Sequence, residues 1–399
     1  MVGRRAFLRA SGALAAAGVL SGCSDGDAAT GAPVRYPFRG AHQAGVTAAP
    51  AAAALAAGLD VLVADRGELR ELFVTLTETI EHVMDGSPWD RRNGGFPPLD
   101  TGMLGIAPGA TGTSVVVGLG DSIFDRFDLA GRRPVESQPM PKFANDDLVA
   151  PERSHGDLSV VIQADDPEAV VHAFRQILRV TRGRLIPRWS REGFNRLDHD
   201  RPAGGAPGRN LLGFKDGTVN PSIDAAGDLD EFVWTHADDG QPEWAVGGTY
   251  QAIRVIRMMV EFWDRTRLSE QEAIFHRHRD SGAPLGRRLE TDEPVFDTTE
   301  AATMSSHIAR ANPRAAGDPR FTMLRRGFNY AGGLDENHQL DQGLVFVSYQ
   351  RSFERGFVGV QRRLDGEALE EYIRPLGGGL FFVPPAPAAG EILAERLLA

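Results

Sequence analysis

Three side chains in this sequence are suited to chemistry at a bound group. Asp216 stands in Asn210-Leu211-Leu212-Gly213-Phe214-Lys215-Asp216-Gly217-Thr218-Val219-Asn220-Pro221, a loop whose glycines let the backbone approach a ligand closely. Further along, His307 lies in Ser306-His307-Ile308-Ala309-Arg310-Ala311-Asn312-Pro313-Arg314, and Arg325 opens Arg325-Arg326-Gly327-Phe328-Asn329-Tyr330. An acid, an imidazole and a guanidinium suit a haem peroxidase. A neutral imidazole ligates iron on one face, while the carboxylate and the guanidinium handle peroxide on the other. Each residue also has an ordinary use: most histidines are no ligand, an aspartate often bonds its own turn, and an Arg-Arg pair is more often surface.

The elements that must position them read as one plan used twice. Residues 59–64 read as a buried strand, and 66–84 as a helix with Leu69, Leu72, Phe73, Leu76, Ile80 and Val83 on one face. Strands follow at 113–119 and 158–163, and Asp166-Pro167 opens a helix striped by Val170, Phe174, Ile177 and Leu178. This strand, helix, strand, strand, helix order is of the ferredoxin-like type. Residues 201–209 contain three glycines and two prolines and mark a boundary. Beyond it, 250–261 reads as a long strand, Ser269-Glu270-Gln271-Glu272 as a capping box opening a helix, 343–350 as a strand and 353–364 as a helix. A chain of 399 residues exceeds one comfortable core, so two domains are expected, 36–205 and 206–399.

The loop pattern Gly-x-x-Asp-Gly, present as Gly213-Phe214-Lys215-Asp216-Gly217, resembles that of the dye-decolourising (DyP-type) haem peroxidases. Pro37-Phe38-Arg39-Gly40-Ala41-His42-Gln43-Ala44-Gly45, Val260-Glu261-Phe262-Trp263-Asp264-Arg265-Thr266 and Gly366-Glu367-Ala368-Leu369-Glu370-Glu371-Tyr372 resemble the exported members that serve bacterial iron uptake. The resemblance runs from Tyr36 to the C-terminus. It implies an α+β fold of two ferredoxin-like domains with antiparallel sheets, holding haem b mainly in the C-terminal one.

By that resemblance Asp216 is the distal acid that moves peroxide's proton, Arg325 the distal arginine that stabilises developing negative charge, and His307 the proximal ligand of the haem iron. Gly217, Thr218 and Val219 should line the cofactor; Asn312, Pro313 and Arg314 should contact it, Arg314 through a propionate. Arg326 is the neighbouring competitor of Arg325, and spacing from His307 decides for Arg325 by resemblance. The second nitrogen of the imidazole calls for an acid partner, and Asp341, before the strand at 343–350, is the candidate; a strand-end cap is its ordinary alternative. A carboxylate base stays ionised in acid where an imidazole would be protonated, which predicts an acidic optimum. Trp189, Trp234, Trp263, Tyr330, Tyr349 and Tyr372 are candidate electron relays, although core burial is the default use of such rings.

The remaining signals concern address and partners. Gly3-Arg4-Arg5-Ala6-Phe7-Leu8-Arg9 and the apolar run at 13–20 read as a twin-arginine export signal over 1–22. Leu20-Ser21-Gly22-Cys23 reads as a lipobox with Cys23 as the lipidated residue, or as ordinary signal cleavage beside an incidental cysteine. Residues 23–35 then form a flexible linker, placing the enzyme on the outer face of the cytoplasmic membrane or in the periplasm. Cys23 is the only cysteine, which excludes an intramolecular disulfide, a haem thiolate and a CxxCH attachment site. The formal charge of −11 becomes −14 without residues 1–22, which argues against nucleic acid. Expected partners are hydrogen peroxide, a small reductant such as a dye or ferrous iron, haem itself as an iron source, an iron permease with its periplasmic partner, and a second copy in a dimer. A non-catalytic haem carrier or sensor would need His307 alone.

Overall fold

The structure, a computed structural model, describes residues 34–89, 98–105, 108–196, 208–313 and 322–399. The export signal, Cys23, residues 24–33 of the linker, residues 201–207 of the boundary and Arg314 lie outside the described residues. Nine strands occur among them: β1 Ala53–Val61, β2 Ser114–Gly120, β3 Leu158–Ala164, β4 Leu185–Phe194, β5 Thr249–Met258, β6 Leu324–Arg325, β7 Phe328–Leu334, β8 Leu340–Gln350 and β9 Ile373–Val383.

The strand order shows the duplicated plan directly. The first half runs β2-β3-β1-β4 and the second β9-β5-β8-β7, with β6 extending the β7 side of β8. Each half thus places its first and third strands centrally and its second and fourth at the edges, in the ferredoxin-like arrangement. The named strands pair antiparallel throughout. Short seams join the halves: Leu119 and Gly120 face Phe382 and Phe381, and Phe194 faces Asn329. The sheet therefore closes on itself as a barrel, and residues 34–399 form one compact unit. Gln43 reinforces the β2–β9 seam, accepting from Val117 N at 2.8 Å and donating to Val117 O at 3.0 Å and Pro384 O at 3.1 Å.

Strand alternation sorts the apolar residues into two layers. Leu55, Ala57 and Leu59 of β1 join Val115, Val117 and Val160 beneath the helices, while Ala54, Ala56, Val116 and Val161 face the barrel interior with Ile253, Val255, Val347 and Tyr349. The helix Arg66–Asp85 starts where Asp65 accepts from Glu68 N and ends at Gly86, whose φ of 67° is left-handed. The helix Pro167–Val180 is capped by Asp166, which accepts from Glu168 N. Both bury continuous faces on the first half, each large side chain contributing about 1.5–3 kcal/mol. The six candidate relay aromatics are all buried, at 7% exposure or less.

Several boundaries differ from the sequence reading. The first strand occupies Ala53–Val61 rather than 59–64, and the last long helix starts at Phe357. The helix Leu268–Phe275 has no side-chain cap, and Glu272 accepts instead from Arg279 N. Strands β4 and β9 carry no clear apolar alternation. β4 is largely exposed, with Leu185 and Trp189 its buried residues, whereas β9 is buried by close tertiary contact: a Cβ on Gly377 would lie 2.0 Å from Arg153 O, and one on Gly378 2.0 Å from Ile253 O.

Candidate active site

In the second half the helices over the sheet are short, Leu268–Phe275, His307–Ala311 and Phe357–Leu364, and a cavity lies among them. Alternate residues of the strands form one wall: Arg254, Ile256 and Met258 of β5, Leu344 and Phe346 of β8, and Ile373 and Pro375 of β9. The cavity encloses about 1370 Å³ of non-atom space including its open mouth.

Asp216 reaches the cavity from a loop that the sequence shapes locally. Asn210 Oδ1 accepts from Leu212 N at 3.1 Å and Phe214 N at 3.2 Å, and Gly213 and Gly217 take φ values of 87° and 80°. Phe214 stacks on Phe275 with centroids 4.1 Å apart, and Phe275 meets the His307 ring edge-on at 5.8 Å, so one aromatic wall joins the loop to the histidine. Arg325 Nε stands 4.0 Å from Asp216 Oδ1, with both side chains partly shielded. That Nε is buried and has no hydrogen-bond partner. Asn220 fixes the strand behind it, donating to Arg325 O at 2.9 Å and accepting from Arg325 N at 3.2 Å.

Adjacent residues of an extended segment point to opposite faces, which separates the two arginines. Arg325 lines the cavity, whereas Arg326 is buried beside Tyr349 of the barrel interior, and burial pushes its guanidinium down to about 10.

His307 opens its short helix, lines the cavity, and is bonded through Nδ1 to Glu367 Oε2 at 2.7 Å. Burial lowers the pKa of the imidazole, but the charge and hydrogen bond of Glu367 outweigh it, so the net shift is upward. With Nδ1 engaged, Nε2 is the nitrogen left for a metal. The expected partner Asp341 is not there. It accepts from Arg191 Nη1 at 3.2 Å and from Tyr330 Oη at 3.1 Å, on the β7–β8 side of the barrel. Glu367 was within reach of sequence reasoning, because it sits in the Gly366-to-Tyr372 segment that carried the resemblance. Its side chain is 2% exposed, as suits a carboxylate whose task is to orient a ring.

Gly217, Thr218 and Val219 line the cavity, Val219 at 42% exposure. Ile308 and Ala311 line it in preference to Asn312 and Pro313, which follow the helix and are absent from the described lining. Sequence reasoning also missed Glu290, Asn220 and the buried pair of Arg254 with Asp146. Asn220 stands in the quoted loop of Asp216, but nothing there marks its contact with Arg325; Glu290, Arg254 and Asp146 lie in no motif, and each is found only through its partner.

The residues fit a haem. One imidazole has a nitrogen free for iron, the walls are largely apolar, and the same cavity offers a carboxylate and an unpaired N–H. Among the described residues no cluster of three or more His, Cys, Asp or Glu forms an ordinary metal site.

A closed barrel of two ferredoxin-like halves with a histidine facing an acid and an arginine defines a class, and the chain belongs to it: the Dyp-type peroxidase family. The family's N-terminal model matches residues 43–195 and its C-terminal model residues 207–388. The chain is 44% identical over 369 residues to a deferrochelatase of Yersinia pseudotuberculosis, covering 91% of this chain and 85% of that protein. It is 42% identical over 411 residues to the deferrochelatase of Escherichia coli O157:H7, covering 99% and 96%. Ferric DtpA from Streptomyces lividans superimposes with a TM-score of 0.82 at 34% identity, over 92% of this chain and 98% of that one.

Proposed function

We propose that this protein is a haem b peroxidase that reduces hydrogen peroxide and oxidises small reductants, dyes or ferrous iron, acting in iron uptake outside the cytoplasmic membrane. The observation that carries the reading is Arg325 Nε, a buried N–H without an acceptor that stands 4.0 Å from the Asp216 carboxylate in the cavity that His307 also lines. A haem carrier gains nothing from such a donor, whereas a site for a developing oxyanion requires one.

When bound, haem would supply the redox centre that takes up the two oxidising equivalents of peroxide and passes them to reductants one electron at a time. His307 would hold it through Nε2, and the Glu367 carboxylate, bonded to Nδ1, would keep that nitrogen protonated and make the ring a stronger donor. Asp216 accepts the proton of incoming peroxide and returns it to the departing oxygen as water leaves. Arg325 holds the negative charge between those two transfers, and Asn220 keeps its backbone in place. The twin-arginine signal, the lipid anchor at Cys23 and a homodimer belong to the same proposal, as does release of iron from haem with the porphyrin intact. The deferrochelatase names of the most similar relatives given above support that last activity.

The test is the absorption spectrum of the haem-loaded protein before and after one equivalent of peroxide. The wild type converts rapidly, and Asp216→Asn and Arg325→Leu each slow conversion by about 10²–10⁴-fold. Haem that binds but only bleaches slowly with peroxide would favour the carrier.

A further inference from the structure

The loop carrying Asp216 is braced from outside the cavity by a single carboxylate. Lys215 Nζ donates to Glu290 Oε2 at 2.5 Å and Thr218 Oγ1 donates to Glu290 Oε1 at 2.9 Å, so the residues on either side of Asp216 engage both oxygens. The contact is sheltered, with side-chain exposures of 19% for Lys215 and 22% for Glu290. Glu290 is itself pinned: buried Arg277 donates Nη1 to Gly282 O at 2.6 Å and to Glu290 O at 3.1 Å. Gly282 has a φ of 77°, and a Cβ there would lie 2.7 Å from Lys215 Cδ, so the lysine stem runs against a position that glycine leaves open.

The brace matters because of what lies between its two arms. Gly217 follows Asp216 directly and gives the backbone unusual freedom there. Lys215 carries an ammonium next in sequence to the acid that must face Arg325. Left uncompensated, that charge would draw the Asp216 carboxylate away from Arg325. We infer that Glu290 is a positioning residue for Asp216: it fixes the loop through Lys215 and Thr218 and keeps the Lys215 ammonium from competing with Arg325. The inference rests on Asp216 acting in the peroxide step.

The experiment is a mutant cycle in the haem-loaded full chain. Glu290→Gln keeps size and loses charge. It should slow the peroxide-driven absorbance change by about 10–100-fold while leaving KM for the reducing dye and haem retention on gel filtration unaltered. In an Asp216→Asn background the same substitution should change nothing further, because the effect passes through Asp216. Lys215→Met with Glu290→Gln, which removes both charges together, should recover most of the lost rate. Cyanide affinity, read from the haem absorption band without turnover, should weaken in Glu290→Gln as in Asp216→Asn. If Glu290→Gln loses haem, Thr218→Val, which removes one bond of the two, is measured in the same way. An effective Asp216→Asn beside an inert Glu290→Gln overturns this inference alone, as does an equal loss from Glu290→Gln in both backgrounds. An inert Asp216→Asn overturns the underlying reading of Asp216, and this inference with it.

Discussion

The two halves share a strand order and differ in what lies on it. In the first, two long helices, Arg66–Asp85 and Pro167–Val180, pack their apolar faces on β1 to β3, with Phe174 and Leu178 at the partly buried rim. In the second, no helix over the cavity exceeds eight residues, and the wall of β5, β8 and β9 is left facing open space. The same topology therefore yields a solid core or a binding cavity according to helix length. The half that gives up packing gains a place for a cofactor whose binding can return stability.

The sharpest way to break this contrast is at the charge pair spanning the halves. Asp146, from the first, pairs with Arg254 of β5, their side chains being 6% and 1% exposed. Asp146→Ala strands a buried guanidinium and should cost about 3–5 kcal/mol in urea unfolding. Replacing both residues with apolar ones should restore most of that. Next come paired truncations. Leu76→Ala in the filled half should cost about 2–5 kcal/mol, whereas Leu344→Ala on the cavity wall of the haem-free protein should cost about 1 kcal/mol. Equal losses would mean the second half is packed as tightly as the first. Glu367→Gln should weaken haem affinity by about 10–100-fold in transfer to an apo acceptor, with little change in apo stability. The smallest effect separates histidines. Burial holds His172 in the first half below its usual pKa, against the pull of Asp100, and its Nδ1 meets Thr101 Oγ1 at 2.6 Å. The unfolded state then binds the proton more readily, so this contribution is full above about pH 6.5 and fades as pH falls through the folded value. His172→Gln should flatten the acid-side decline of Tm.

The legible parts of this molecule were those encoded locally. Asp216 announces itself by flanking glycines, and the helix at Arg66–Asp85 by its stripe and its Asp65 cap. Arg325 could be chosen over Arg326 only by resemblance, because sidedness in an extended segment depends on a register that the partner strand sets. Glu367 lies in the Gly366-to-Tyr372 segment that carries the resemblance, which marks it as a candidate, but only the fold shows that this acid rather than Asp341 crosses to His307. β9 was unreadable for a related reason: Gly377-Gly378-Gly379 suggests a turn, yet those glycines exist to let Arg153 and Ile253 come close.

The barrel interior has a consequence for assembly. On the inward face β1 to β3 contribute Ala54, Ala56, Gly58, Val116, Gly118 and Val161, with Trp189 of β4 the large ring of the first half, while β5 to β9 contribute Ile253, Phe328, Tyr330, Val347, Tyr349 and Phe381. Small groups on one side receive large ones from the other. Two copies of the second half would therefore overfill the same space, at a cost of about 1–3 kcal/mol or more. Although both halves follow one blueprint, the large rings of the second fit against the small groups of β1 to β3, so separately produced halves should recombine one-to-one.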